Sequence, residues 1–197
     1  LLVRVDPLKE YERVETLAKQ FLETHNEGPG PRMVAHALTT CYQKQRHWKE
    51  IKQLLPVIEG FVPSDDRLIR QYECELAYMQ AVADLMLFNY EQARDGFAGV
   101  LMNFTGLHQH ENATHWHAMS QTFLKNYETA LGEFESYIKA YPDGNWLPDA
   151  TFHCGICLFG MEKNEEARQR FTEVIDNYPD SPVYSDACSL RGDLLAA

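Results

Sequence analysis

The chain has 197 residues, of which 45% are apolar and 24% charged, values that are ordinary for a globular protein. Its formal net charge of −11 argues against a nucleic-acid partner, because phosphate backbones are neutralised by clustered Lys and Arg. No apolar run approaches the roughly 20 residues that cross a bilayer, so we expect no membrane span.

The first third of the chain predicts helices at irregular spacing. Two of them share one apolar face, repeated after 37 residues: Val14, Ala18 and Phe21, then Ile51, Leu55 and Ile58. Residues 27–31 form a Gly/Pro cluster and predict a loop, and Pro56 should kink or shorten its helix. Ser64 is a good N-cap for the helix that follows. We therefore predict a half repeat at 6–26 and an irregular repeat at 31–62.

Three regular units follow, each a pair of helices, and corresponding residues lie 37 apart. The first helix carries a small residue, and the second carries an Ala and a Phe four positions apart, which lie on one helical face: Ala81, Ala118 and Gly155; Ala93 with Phe97, Ala130 with Phe134, and Ala167 with Phe171. Pro142 and Pro179 should end the second helices. The units are predicted at 67–105, 111–142 and 148–179, and the first helix of a further repeat at 183–197.

This order of features resembles the tetratricopeptide repeat, whose usual unit has 34 residues. The resemblance implies an all-α fold, an α-α superhelix in which residues 1–197 form a single solenoid of antiparallel helix pairs. Such folds are protein–protein interaction scaffolds, and their first helices line a concave groove. Both ends fall within a repeat, which predicts a piece of a longer array whose open ends allow self-association.

The resemblance also assigns groove positions, the fifth and ninth residues of each unit. By register these are the predicted partner-binding residues: Tyr78, Val82, His115, Met119, Phe152 and Ile156. Their apolar and aromatic character favours an apolar or amphipathic peptide or helix of a protein partner. Two alternatives stay open: neighbouring repeats cover these side chains, or the repeats only space other domains. The Lys/Asn clamp that some tetratricopeptide proteins use for chaperone C-termini is missing, because its positions hold Tyr78, Val82, Trp116, Asp149 and His153.

The segment between repeats, 178–182, begins Tyr178-Pro179-Asp180 and is similar to repeats of bacterial envelope proteins. Examples are the β-barrel-assembly lipoprotein and the periplasmic partner of the Tol–Pal system. This second resemblance implies a bacterial origin and favours the cell envelope or periplasm over the cytoplasm.

Two constellations could carry chemistry. Cys154 and Cys157 have the spacing of a redox or metal pair, but they lie inside a predicted helix with no preceding strand, which favours buried core thiols. The histidine run contains His108, His110, His115 and His117. His110 and His115 are five residues apart, about 140° around a helix, and do not converge. We predict no catalytic residue, no metal, no cofactor and no enzymatic activity.

Overall fold

The computed structural model describes residues 7–25, 29–59 and 66–196, and within these ranges the regular secondary structure is entirely helical. This confirms the predicted all-α fold. The chain divides into two compact units, residues 1–87 and residues 88–197. None of the described helices is both long and apolar enough to cross a membrane.

Within the described part of the first unit, four helices pack in chain order: α1 (Pro7–Thr24), α2 (Pro29–Gln45), α3 (Trp48–Glu59) and α4 (Asp66–Met86). Its core forms where the apolar stripes of these helices meet. Leu38 and Tyr42 of α2 and Ile51 of α3 are almost completely buried there. Tyr42 also donates a hydrogen bond to Glu15 Oε1 in α1, at 3.0 Å, which joins the first two helices.

The predicted loop at 27–31 is wrong at its C-terminal end. Because α2 begins at Pro29, Gly30 and Pro31 form its first turn, where a proline lacks only an N–H that would have no helical partner. Pro56 lies inside α3, which has 12 residues, whereas α5, α7 and α9 have 14. The predicted N-cap Ser64 lies outside the described residues.

The second unit contains six helices, each packed against the next: α5 (Tyr90–Asn103), α6 (Gln109–Phe123), α7 (Tyr127–Ala140), α8 (Leu147–Gly160), α9 (Asn164–Asn177) and α10 (Tyr184–Ala196). We call α6, α8 and α10 first helices and α5, α7 and α9 second helices, following the sequence register. The first helices α6 and α8 also contact each other.

The Ala/Phe pattern forms the core of this unit. All six side chains are fully buried: Ala93, Phe97, Ala130, Phe134, Ala167 and Phe171. The predicted small residues also have their expected role. A methyl group added at Gly155 would lie 2.5 Å from Cε1 of Phe171, so only glycine lets α8 and α9 approach this closely.

The turn between first and second helix is the same in successive repeats. Phe88, Lys125 and Glu162 have φ of 64°, 62° and 62°, in the left-handed region. After α6, Asn126 N–H bonds Gln121 O and Lys125 N–H bonds Thr122 O, the paired bonds of a Schellman motif. The second helices α7 and α9 end at Ala140 and Asn177, just before the predicted stops at Pro142 and Pro179.

Candidate partner-binding surface

On two first helices of the second unit, α6 and α8, a row of side chains that includes large residues reaches solvent. We call these residues the accessible stripe: Asn112, Trp116 and Phe123 on α6, and Asp149, His153, Ile156 and Phe159 on α8. Within a helix their spacings of three, four or seven residues keep them on one side. The helices α6 and α8 contact each other, and Asn112 and Trp116 correspond in register to Asp149 and His153.

The six predicted groove residues differ in exposure. His115 is completely buried, and Phe152 and Met119 are 7% and 8% exposed, whereas Ile156 is half-buried. Tyr78 and Val82 lie half-buried on α4, in the first unit. Phe152 packs against Phe171 of α9, with ring centroids 5.5 Å apart. A Phe152→Glu substitution would therefore place a charge in the core, and the binding role of all six stays a prediction.

His115 is buried because a turn residue folds over it. The Trp146 ring stacks on the imidazole at 4.6 Å with an interplanar angle of 8°. Trp146 is held there by its indole N–H, which donates to Asn112 Oδ1 at 2.7 Å. Trp116 meets the same Trp146 ring edge-on at 5.1 Å. Trp116, the residue after His115, is therefore the side chain that reaches solvent. On α8 the same shift by one residue applies, and His153 rather than Phe152 belongs to the stripe.

The register did not predict this displacement for the aromatic positions. The sequence identifies Trp116, Asp149 and His153 only as positions where a cationic clamp is missing. Trp146 carried no repeat signal, because it lies between two units. A tryptophan without a counterpart in the other repeats, just before a first helix, was the one feature of the sequence that indicated a large side chain covering the preceding repeat.

Asp149 provides the charge of the stripe. Its Oδ2 lies 3.0 Å from His115 Nε2 and 3.7 Å from His153 Nε2. The 3.0 Å approach is a close polar contact rather than an aligned hydrogen bond, because both ring nitrogens of His115 lack a well-oriented partner. Among the described residues, no Lys or Arg forms an ion pair with this carboxylate.

The pKa values agree with an ionised Asp149 beside a neutral His153. Burial lowers the pKa of His153 to about 4, against a weaker opposing effect of Asp149, so this ring is neutral near pH 7. Burial alone would raise the pKa of Asp149, but its contacts with His115 and His153 outweigh that effect and hold the pKa below its usual value. The stripe is thus apolar and aromatic, with one carboxylate that has no permanent cation beside it.

The two constellations considered for chemistry do not form a reactive site. Burial raises the pKa of Cys154 to about 12 and that of Cys157 to about 11, so both thiols stay protonated. His110 contacts the Tyr141 hydroxyl at 3.0 Å, and His117 contacts Glu133 at 2.9 Å, on separate partners. Within the ranges that the structure describes, no three His, Cys, Asp or Glu side chains converge on a possible metal position.

Comparison with known proteins supports the repeat assignment. A family model described as the tetratricopeptide repeat matches residues 113–144 and 149–181. None of the curated proteins compared with the chain matches it significantly. The matched segments include Tyr141–Asp143 and Tyr178–Asp180, and the model describes the tetratricopeptide repeat rather than an envelope protein. Their backbones form the turn that follows a second helix, with Gly144 N–H bonding Tyr141 O and Ser181 N–H bonding Tyr178 O. The envelope resemblance is therefore unsupported.

Solved structures show the same fold over most of the chain. YrrB, a tetratricopeptide protein "with an unusual peptide-binding site", is 17% identical with a TM-score of 0.65, and the match covers 93% of this chain and 86% of that one. MamA from Desulfovibrio magneticus RS-1 is 17% identical with a TM-score of 0.60, covering 84% and 93%. Repeats of a putative kinesin light chain from Podosopora anserina are 12% identical with a TM-score of 0.62, covering 85% and 84%. The chain thus has a tetratricopeptide-type helical-repeat fold, which is in general a protein–protein interaction scaffold.

Proposed function

We propose that this chain binds a protein partner through the accessible stripe of α6 and α8. The observation that carries the proposal is that four large apolar or aromatic side chains of α6 and α8 reach solvent. Phe123 and Phe159 are 44% and 47% exposed, and Trp116 and Ile156 are half-buried. Removing apolar surface of this kind from water lowers the free energy of a complex, so it favours the binding of a partner.

The partner segment should be apolar or amphipathic and should carry a basic residue. Helices and extended peptides both present apolar side chains at regular spacing, as a row of pockets on a repeat requires. Asp149 and Trp116 both contact His115, and we propose that one basic side chain of the partner reaches both. A Lys or Arg of the partner would meet a carboxylate and an aromatic ring at the same place, which favours it over an acidic residue.

The proposal extends the predicted groove rather than replacing it. Ile156 is both a predicted groove residue and part of the stripe, and Met119 lies one turn along α6 from Trp116. On α4, in the first unit, Val82 corresponds in register to Met119 and Ile156, and Tyr78 corresponds to His115 and Phe152. Both are half-buried, and we propose that they also contact a partner. His115 and Phe152 would then support the binding surface from beneath.

Peptide selection tests the proposed partner chemistry. A displayed library of random peptides is selected against the 197-residue chain, and the enriched sequences are compared with those selected on an Asp149→Asn variant. We expect apolar residues together with Lys or Arg on the native chain, and loss of the basic preference on the variant. Enriched peptides that are acidic, or that bind a Trp116→Ala, Ile156→Glu double variant equally well, would refute the proposal.

A further inference from the structure

The second helices α7 and α9 both pack on α8, and an arginine of the chain fills the groove between them. Arg170 of α9 donates to Glu135 of α7 at 2.9 Å and to Glu173 of its own helix at 3.2 Å. The cavity that remains there has a volume of about 290 Å³. On the α9 side it is lined by Glu166, Gln169, Arg170 and Glu173.

The preceding pair of second helices, α5 and α7, borders a groove that the chain does not fill in this way. The four α7 positions that precede those of α9 by 37 residues also line a cavity: Thr129, Gly132, Glu133 and Ser136. Three of the four side chains are smaller than their counterparts, and a carboxylate replaces the guanidinium of Arg170. On α5 the position of Glu135 is held by Ala98. The cavity is accordingly larger, about 420 Å³.

We call this cavity the α5–α7 groove, and its lining also includes Leu101, Thr114, His117 and Glu128. The groove carries two carboxylates, since Glu128 is exposed and Glu133 is half-buried. Glu133 Oε2 contacts His117 Nδ1 at 2.9 Å, and a carboxylate with one such contact can accept further hydrogen bonds.

The arginine on the α5 side does not neutralise the groove. Arg94 corresponds in register to Leu131 and pairs instead with its neighbour Asp95, at 2.7 Å. Among the described residues, no Lys or Arg forms an ion pair with Glu128 or Glu133. The charge of the α5–α7 groove therefore favours a cation from outside the chain.

We propose that the α5–α7 groove binds an arginine side chain of a partner protein. Arg170 is the side chain that lies between two successive second helices of this chain, where it reaches a carboxylate of the neighbouring helix. In the α5–α7 groove the carboxylate is present and the arginine would come from the partner. A planar guanidinium can donate two parallel N–H groups to Glu133, and the aliphatic stem of the arginine can cover Leu101. A protein source agrees with a fold that is in general a protein–protein interaction scaffold.

This surface is separate from the accessible stripe. Thr114 lies two residues from both Asn112 and Trp116, so it is about 160° around α6 from each of them. The proposal therefore does not depend on a partner that occupies the stripe.

Nuclear magnetic resonance of the isotope-labelled 197-residue chain tests the proposal. The probe is the blocked tripeptide acetyl-Ala-Arg-Ala-amide, and two comparison peptides carry lysine or the uncharged isostere citrulline in place of the arginine. We expect saturable shifts of the backbone amides of Thr114, Gly132 and Ser136 with the arginine peptide. The lysine peptide should bind more weakly, because an ammonium lacks the planar fork, and the citrulline peptide should not bind.

Two variants change the groove in different ways. Glu133→Gln removes the charge of the carboxylate, and Gly132→Gln fills the cavity with the side chain that α9 has at the same position. Each should weaken binding of the arginine peptide about fivefold or more, because a hydrogen bond to a charged group or the space for it is lost. The matched control Glu166→Gln removes the same charge beside the filled groove, and Asp149→Asn removes the charge of the accessible stripe. Both controls should bind the peptide as the native chain does. An unchanged thermal transition verifies that each variant is folded.

Four outcomes would overturn the proposal. The first is the absence of saturable shifts at the groove residues, and the second is equal affinity for the lysine or citrulline peptide. The third is binding of agmatine, a free guanidinium compound, without binding of the tripeptide, since this indicates a small-molecule site. The fourth is binding that Asp149→Asn abolishes and Glu133→Gln leaves unchanged. That result would place the arginine at the accessible stripe and would support the proposed function while removing this site.

Discussion

At the scale of single residues, two glycines in helices have opposite roles. Gly155 sits against the Phe171 ring, whereas a methyl group at Gly132 would meet nothing within 4 Å. We expect Gly155→Ala to destabilise the protein by about 1–3 kcal/mol, because the ring must shift in a close-packed core. Gly132→Ala should stabilise it by about 0.5–1 kcal/mol, since alanine restricts the unfolded chain and favours helix. Urea unfolding of both variants measures the difference, and equal effects would mean that the α8–α9 register is wrong.

His153 gives the protein a specific pH dependence. Its pKa is about 4 in the folded state and about 6.5 in the unfolded chain, so between these values the unfolded state binds more protons. Stability should therefore fall as the pH drops from about 6.5 to 4, by at most about 3 kcal/mol from this residue. Asp149 affects stability at lower pH. Because its pKa in the folded state lies below the usual value, the stability that its carboxylate contributes is lost only as the pH falls through that folded-state pKa.

Unfolding free energies measured at several pH values between 7 and 4 test the role of His153. A His153→Phe variant keeps a ring against Phe134, which stacks on the native imidazole at a centroid distance of 5.6 Å, but cannot titrate. The variant should lose most of the slope in this pH window. An unchanged slope of stability against pH would show that folding does not lower the pKa of His153.

At the scale of elements, the turns between paired helices carry local strain. Lys125 has φ of 62°, a conformation that costs a residue with a side chain about 1–2 kcal/mol and costs glycine much less. Lys125→Gly should therefore stabilise the fold by about 0.5–1 kcal/mol in thermal or urea unfolding. Lys139→Gly, within the right-handed backbone of α7, is the control and should destabilise by a similar amount. Destabilisation by both substitutions would contradict the left-handed turn.

At the scale of the whole molecule, the fold could be predicted because its packing repeats along the chain. Ala130 and Phe134 are buried for the same reason as Ala167 and Phe171, so their spacing alone indicated helix pairs. The exposed side of α6 could not be predicted in the same way. It depends on Trp146, a turn residue that folds back over His115, and a contact over 31 residues leaves no mark in a local pattern.

The prediction of a loop at 27–31 was wrong at residues 29–31 for a related reason. Proline and glycine are common in loops, but proline is also tolerated in the first turn of a helix, and residue types alone do not distinguish the two. In the structure Gly30 lies in the first turn of α2 and against the Phe21 ring, where an added methyl group would be 3.3 Å from Cζ.

The central claim is that a partner binds the accessible stripe, and calorimetric titration tests it most directly. The titrant is the tightest peptide selected on the native chain, and the proteins are native, Ile156→Glu and Met102→Glu. Met102 lies on α5, is 81% exposed and is outside the stripe, so its variant controls for added charge. We expect at least a tenfold loss of affinity, about 1.4 kcal/mol, for Ile156→Glu alone. Equal affinity for native and Ile156→Glu protein, with both folded, would contradict it.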